Sequence, residues 1–246
     1  MDQTMERAGN FLPRVDENST NPNAVDRRVV TLTAPASAAA EQYRSLYYRL
    51  ERMRELRPMK VVALTSAMPG EGKTVTSVNL AMAAARANPD RRILLVDADL
   101  RRGGVAATLG VRNKTGLAEL LSGEVEVRDV VRRFAATRLA LIPAGTAPEE
   151  PSQVLASPRM KQFLKAVREG FDEVYIDLPP TLPFADAAIL GHQVDGVLMV
   201  IRANVTPGKT VHQAVEQLAG APVLGCVLNG AEVHATPYLK NYEKQK

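Results

Sequence analysis

Between about residue 35 and residue 228, runs of consecutive apolar residues alternate with segments whose apolar positions recur every three to four residues. The runs predict strands near 61–65, 93–97, 139–142, 173–177, 196–201 and 222–228. The periodic segments predict helices over 35–57, 73–87, 115–122, 152–168, 184–192 and 207–219. Strands apolar on both faces and separated by helices make an α/β fold, a largely parallel sheet with helices on both faces. Ligands of such sheets bind beyond the carboxyl ends of the strands. In the first helix Ser37 is placed to cap, and Tyr43, Leu46, Tyr47 and Leu50 recur at helical spacing, with Glu41, Arg44, Arg49 and Arg52 on the polar side.

Residues 1–28 mix Asp, Asn, Pro and Arg without periodicity and read as a flexible arm. The globular domain is assigned to 29–230, and 231–246 to a C-terminal tail containing tyrosines. A chain of 246 residues, 46% hydrophobic, suffices for one domain with a substantial core. The 31 basic and 27 acidic residues leave a net charge of +4, small and dispersed, so no nucleic acid partner is expected. Cys226 is the single cysteine, which excludes a disulfide framework or thiolate metal cluster within one chain. Its place in the apolar run Val223–Leu228 predicts a buried, inert thiol. No stretch approaches the roughly 20 apolar residues that cross a bilayer, and Met1–Pro22 has no signal-peptide core, so a cytoplasmic chain is expected.

Chemistry concentrates at the ends of three predicted strands. The first runs into Ala67-Met68-Pro69-Gly70-Glu71-Gly72-Lys73-Thr74 and then a helix, the order a phosphate-binding loop requires. Gly70 and Gly72 let backbone N–H groups converge on phosphate, Lys73 reaches the β- and γ-phosphates, and the Thr74 hydroxyl ligates Mg²⁺. Ala67 stands where the usual pattern has its first glycine. The second strand ends Val96-Asp97-Ala98-Asp99-Leu100-Arg101, with two carboxylates two residues apart on one side of the chain. One can serve the metal while the other accepts a proton from an attacking hydroxyl, and the sequence leaves open which does which. A third strand ends Tyr175-Ile176-Asp177 before Leu178-Pro179-Pro180, which makes Asp177 the expected Walker B carboxylate.

These motifs, with the segment Asp195–Arg202 and the terminal tyrosines, resemble the bacterial tyrosine kinases of capsule and exopolysaccharide systems, from about Pro35 to the end of the chain. The resemblance implies a P-loop NTPase of the deviant Walker A group, related to partition and division ATPases. By the same resemblance the chain is a Mg-ATP-dependent protein-tyrosine autokinase regulating polysaccharide polymerisation and export, with Lys73, Asp97 and Asp99 catalytic and Thr74, Asp99 and Asp177 at the metal. ATP would lie along Pro69–Val75, and Asn229 matches an asparagine that reads adenine in related ATPases; a turn-forming Asn before Gly230 accounts for it as well. Tyr238 and Tyr242 would be the phospho-acceptors. The implied partners are a homo-oligomer and a separate membrane polysaccharide co-polymerase that activates the kinase and recruits it to the inner face of the membrane.

The sequence departs from the family at two places. Tyr47 follows Glu41 and Arg44 where the subunit-contact motif has a second arginine, and Leu178 replaces a small hydroxyl residue before the prolines. Two other functions stay open. A partition- or division-type dimerising ATPase would carry a signature lysine early in the loop, where this chain has Met68. A nucleotide-binding regulatory subunit without phosphotransfer would be marked by a degraded site, yet Lys73, Thr74, Asp97, Asp99 and Asp177 are all present.

Overall fold

A computed structural model of the chain describes residues 25–134 and 137–231. Its strands are β1 (Val61–Ser66), β2 (Ile93–Asp97), β3 (Arg132–Arg133), β4 (Leu139–Ile142), β5 (Glu173–Asp177), β6 (Gly196–Arg202) and β7 (Val223–Asn229). They form one sheet in the order β3-β4-β2-β5-β1-β6-β7, parallel throughout except for the short antiparallel β3–β4 pair. Strand residues alternate between the two faces, and each face is dry. Val61, Ala63, Leu94 and Val96 belong to one apolar cluster, whereas Val62, Leu64, Ile93 and Leu95 belong to the other. That double burial is why these strands read as continuous apolar runs.

The helices are α1 (Val30–Thr33), α2 (Ala38–Leu56), α3 (Lys73–Ala87), α4 (Val105–Leu109), α5 (Leu117–Ser122), α6 (Val127–Val130), α7 (Pro151–Ala156), α8 (Pro158–Gly170), α9 (Asp186–Gly191) and α10 (Gly208–Gln217). Leu155 of α7, Phe163 of α8, Leu190 of α9 and Ala214 of α10 cover one face of the sheet. Leu50 of α2, Leu80 and Met82 of α3 and Leu109 of α4 cover the other. Ser37 caps α2 by accepting a hydrogen bond from the Ala40 N–H. No helix among the described residues is long and apolar enough to cross a membrane.

A buried polar network fastens α2 to the sheet. Glu173, 1% exposed, pairs with Arg54 at 2.8 Å and Arg91 at 2.8 Å and accepts the hydroxyls of Tyr47 at 3.2 Å and Tyr175 at 2.7 Å. Tyr47, the departure from the subunit-contact motif, is therefore fully buried and points inward.

Four expectations need correction. The predicted helix 152–168 is two helices, because Ser157 is extended ahead of Pro158, which disfavours helical backbone at the preceding residue. Its hydroxyl then caps α8 by accepting from the Met160 N–H. Strand β3 and helices α1, α4 and α6 are additional; with two to five residues each, they show no periodicity. The arm ends earlier than residue 28: Val25 and Val29 are buried, and the Asp26 N–H bonds to the Thr108 carbonyl at 3.0 Å. Asn79 holds this segment from α3, donating to the Arg28 carbonyl and accepting from Thr31. Finally, Cys226 is exposed. Its strand, β7, is the edge of the sheet, so the apolar run does not imply burial there.

Candidate active site

The site gathers at the carboxyl ends of β1, β2 and β5. Asp97 and Asp177, the last residues of β2 and β5, are direct partners in the parallel register, with Leu64 of β1 on the far side of Asp177. The loop after β1 then turns over these ends through two left-handed glycines, Gly70 at φ 86° and Gly72 at φ 91°. Gly72 has a second constraint: a Cβ there would come within 1.9 Å of the Asn229 side-chain nitrogen. Helix α3 starts immediately, at Lys73, and presents its N-terminal end to the loop.

Lys73 Nζ is 2.8 Å from Asp99 Oδ2 and 3.6 Å from Asp177 Oδ2. The Thr74 hydroxyl donates to Asp177 Oδ2 at 2.7 Å, and the Ser77 hydroxyl donates to Asp177 Oδ1 at 2.9 Å. Asp97, fully buried, accepts the Val105 N–H at 2.9 Å and the Asp99 N–H at 3.2 Å. The two aspartates of the second motif therefore differ: Asp97 is locked by backbone, whereas Asp99 is held by Lys73. Burial first, and then the neighbouring Asp177 charge, push the Asp97 carboxyl up to about 8. Burial likewise raises Asp177, against the pull of Lys73. For Lys73 burial works against the ammonium, but Asp177 and Asp99 outweigh it and hold its pKa above the ordinary lysine value.

Three carboxyl groups thus crowd one lysine in a buried site that disfavours their charge, and a divalent cation would favour their ionised forms. Among the described residues no three His, Cys, Asp or Glu side chains form an ion cage by themselves. A hydroxyl and one or two carboxylates are instead the partial donor set of Mg²⁺, which completes its octahedron with phosphate oxygens and water. Thr74, Asp177 and Asp99 fit that role.

The other expected residues are placed as follows. The Glu71 side chain is 3% exposed and turned into the protein, where it accepts the Met68 N–H at 2.8 Å and the Thr206 hydroxyl, so only its backbone is available to a ligand. Asn229 donates its amide to the Glu71 carbonyl at 2.8 Å and braces the loop. It also lines, with Gly70, Gly72, Val75, Tyr43 and Leu228, a groove of about 580 Å³ between the loop, α2 and β7. Pro69 and Gly70 are exposed at the loop's crest. Tyr238 and Tyr242 lie outside the described residues.

Sequence reasoning passed over Ser77 and Asp186. Ser77 follows Lys73 by one helical turn, a spacing that signals a shared face. Asp186, fully buried, pairs with Arg101 at 2.8 Å and receives the Ser152 hydroxyl, while the Arg101 guanidinium lies 4.1 Å from the Phe184 ring centre. This cluster clamps the segment that carries Asp99, and no local pattern announced it because its parts are scattered between residues 101 and 186.

A strand-loop-helix phosphate site with acids at the two neighbouring strand ends, on a sheet of this order, defines a P-loop NTPase. A family model described as an AAA domain matches residues 59–219. The chain belongs to the family of bacterial tyrosine-protein kinases. It is 35% identical over 211 residues to the tyrosine-protein kinase YwqD of Bacillus subtilis (strain 168), covering 85% of this chain and 88% of that one. It is 33% identical over 210 residues to the succinoglycan biosynthesis transport protein ExoP of Rhizobium meliloti (strain 1021), covering 83% of this chain but only 26% of that protein. The kinase domain of the Escherichia coli tyrosine kinase ETK superposes with a TM-score of 0.80 at 31% identity, covering 91% and 90% of the two chains.

Proposed function

We propose that this chain is a protein-tyrosine kinase that transfers the γ-phosphoryl group of Mg-ATP to tyrosine hydroxyls on copies of itself, and so regulates exopolysaccharide synthesis and export. The observation that carries this reading is the convergence of Lys73, Thr74, Asp97, Asp99 and Asp177 on one point above the sheet. Kinship to YwqD and ETK supports the tyrosine acceptor, and kinship to ExoP supports the polysaccharide setting.

In this reading the backbone of Pro69–Val75 wraps the phosphates, and Lys73 leaves Asp99 to neutralise the β- and γ-oxygens. Thr74 and Asp177, with Asp99, would hold Mg²⁺, which offsets phosphate charge when bound. Ser77 fixes the Asp177 carboxylate in orientation. The tyrosine oxygen attacks the γ-phosphorus, and the bond to the β,γ-bridging oxygen breaks. ADP leaves with the electron pair, and the phenolic proton passes to the Asp97–Asp99 pair. The groove lined by Tyr43, Val75 and Asn229 takes the nucleoside. A membrane co-polymerase would supply activation and recruitment to the inner membrane face, Tyr238 and Tyr242 would be the acceptors, and the kinase would act as a homo-oligomer.

The test is incubation of the full chain with Mg-ATP, with and without the cytoplasmic segment of the co-polymerase, followed by phosphopeptide mapping. Alkali-stable phosphate on tyrosine, absent from Lys73→Met, is the expected result. ATP binding without phosphotransfer under every partner condition would favour a regulatory subunit instead.

A further inference from the structure

Arg202 closes β6 at the rim of the nucleoside groove. Alternation along the strand puts it on the face of Leu198 and Val200, which α2 and α3 cover. Its partner in the parallel register is Asn229, which follows Val227 on the same face of β7. Its backbone is held on both sides. The Ala203 N–H donates to the Asn229 carbonyl at 2.9 Å, and the Arg202 carbonyl accepts the Thr206 N–H at 3.0 Å in a turn that Glu71 ties to the phosphate loop. The guanidinium lies flat on Gly230. A Cβ built on Gly230 would stand 2.9 Å from Cζ and 3.1 Å from both Nε and Nη1. A point nearer the central carbon than either nitrogen lies over the face of the group, not at its edge. Position 230 therefore needs glycine twice over, for this approach and for its left-handed φ of 70°. Arg202 is exposed, and among the described residues its side chain has no hydrogen-bond or ion-pair partner. One face of a planar cation thus rests on a glycine at the groove's rim, and the other is left open.

We propose that Arg202 is the stacking residue of the nucleotide site, its open face carrying the nucleobase. The proposal rests on the placement of the nucleoside in this groove and adds the side chain that holds the base. A guanidinium is planar, weakly hydrated for a cation and attracted to the face of an aromatic ring, so it can hold a base without reading its edge. The groove offers no better platform. Tyr43 is the one aromatic side chain among its described lining residues, and it is packed against the apolar cluster under α2 and α3. Asn229, beside Arg202 in register, then meets the edge of a ring resting on the guanidinium, with its nitrogen engaged by the Glu71 carbonyl and its side-chain oxygen available as an acceptor. A contact to the base separates a nucleotide from bare pyrophosphate, which fills the same phosphate loop but has nothing to stack.

The experiment measures the dissociation constants of ADP and of inorganic pyrophosphate, each with Mg²⁺, on the full chain as wild type, Arg202→Ala and Arg202→Lys. Arg202→Ala should weaken ADP about tenfold and leave pyrophosphate within about twofold. Arg202→Lys keeps the charge but lacks the plane, so it should stay about fivefold or more weaker than wild type for ADP. An unchanged thermal midpoint without ligand is expected of both variants, because the side chain is exposed and unpaired among the described residues, and it reports an intact fold. Equal loss of ADP and pyrophosphate would assign the cation to the phosphates and overturn the proposal. Wild-type ADP affinity in Arg202→Ala, or full recovery in Arg202→Lys, would overturn it as well. The expected binding pattern in a chain that forms no phosphotyrosine from Mg-ATP would support the stacking role and overturn the kinase reading instead.

Discussion

Lys73 Nζ sits 2.8 Å from Asp99 Oδ2, so the cation proposed to hold the phosphates is neutralised by a carboxylate proposed to serve the reaction. Mg-ATP must exchange this pair for two others, lysine with phosphate and aspartate with the metal. Replacing Lys73 by Met removes the phosphate partner and leaves Asp99 and Asp177 without their shared cation. Phosphotransfer by Lys73→Met is expected to fall about a hundredfold or more. Near-normal transfer by the folded variant, measured as phosphotyrosine formation, would exclude this role.

The two aspartates of the second motif should separate experimentally. Asp97→Asn retains a carbonyl for the Val105 N–H, loses only the longer acceptance from the Asp99 N–H and removes a charge that burial already disfavours, so its thermal midpoint should fall only slightly. Asp99→Asn breaks the ion pair to Lys73. Both variants should lose much of the transfer rate, tenfold at least on the order expected for a group acting in the transition state. Full activity in both would make the acidic pair structural.

Cys226 offers a native reporter of the nucleoside groove. Burial pushes its thiol up, so alkylation near neutral pH should be slow but measurable, as the residue is exposed and lines the groove. Saturating Mg-ATP is expected to slow maleimide labelling by about fivefold or more through occlusion. Labelling that ignores nucleotide would place the nucleoside elsewhere.

Glu173 carries the attachment of α2. Glu173→Gln leaves Arg54 and Arg91 with Glu51 as their remaining carboxylate and weakens four charge-assisted contacts, and the expected loss is about 2 kcal/mol, read from chemical denaturation. A loss below about 1 kcal/mol would show that apolar packing of Leu50 and its neighbours holds the helix by itself.

Asp195 fixes the start of β1 by accepting the Lys60 and Val61 N–H groups, both at 2.8 Å, and it pairs with Arg168 at 2.6 Å. Burial opposes its charge, but the Arg168 guanidinium and the two N–H donors outweigh burial and hold the carboxyl below its ordinary value. Its contribution is therefore complete above the unfolded value, about pH 4, and is lost as pH falls through the lower folded value. The stability gap between wild type and Asp195→Asn should close on acidification across that window. A gap independent of pH would assign the effect to packing.

Much of this architecture was legible because strands buried on both faces write themselves as unbroken apolar runs, as Val61–Leu64 and Ile93–Val96 do. The phosphate loop was legible because glycine spacing, Lys73 and Thr74 are contiguous. What stayed hidden depends on contacts between distant segments. Asn79 pins residues 28–31 to α3, Asp186 clamps Arg101, and Glu71 turns inward to Thr206. Cys226 was misread for a related reason: an apolar run fixes strand character but not whether the strand ends at the edge of the sheet.

The most direct test of the central claim is phosphopeptide mapping of an acceptor chain, Lys73→Met with its tail intact, mixed with a donor chain carrying Tyr238→Phe and Tyr242→Phe, in Mg-ATP with the activating partner. The account predicts phosphotyrosine on the acceptor chain at Tyr238 and Tyr242, and loss of most of that signal when the acceptor too carries Tyr238→Phe and Tyr242→Phe. Undiminished labelling of that doubly substituted acceptor, or no phosphotyrosine on any chain while Mg-ATP binds normally, would contradict it.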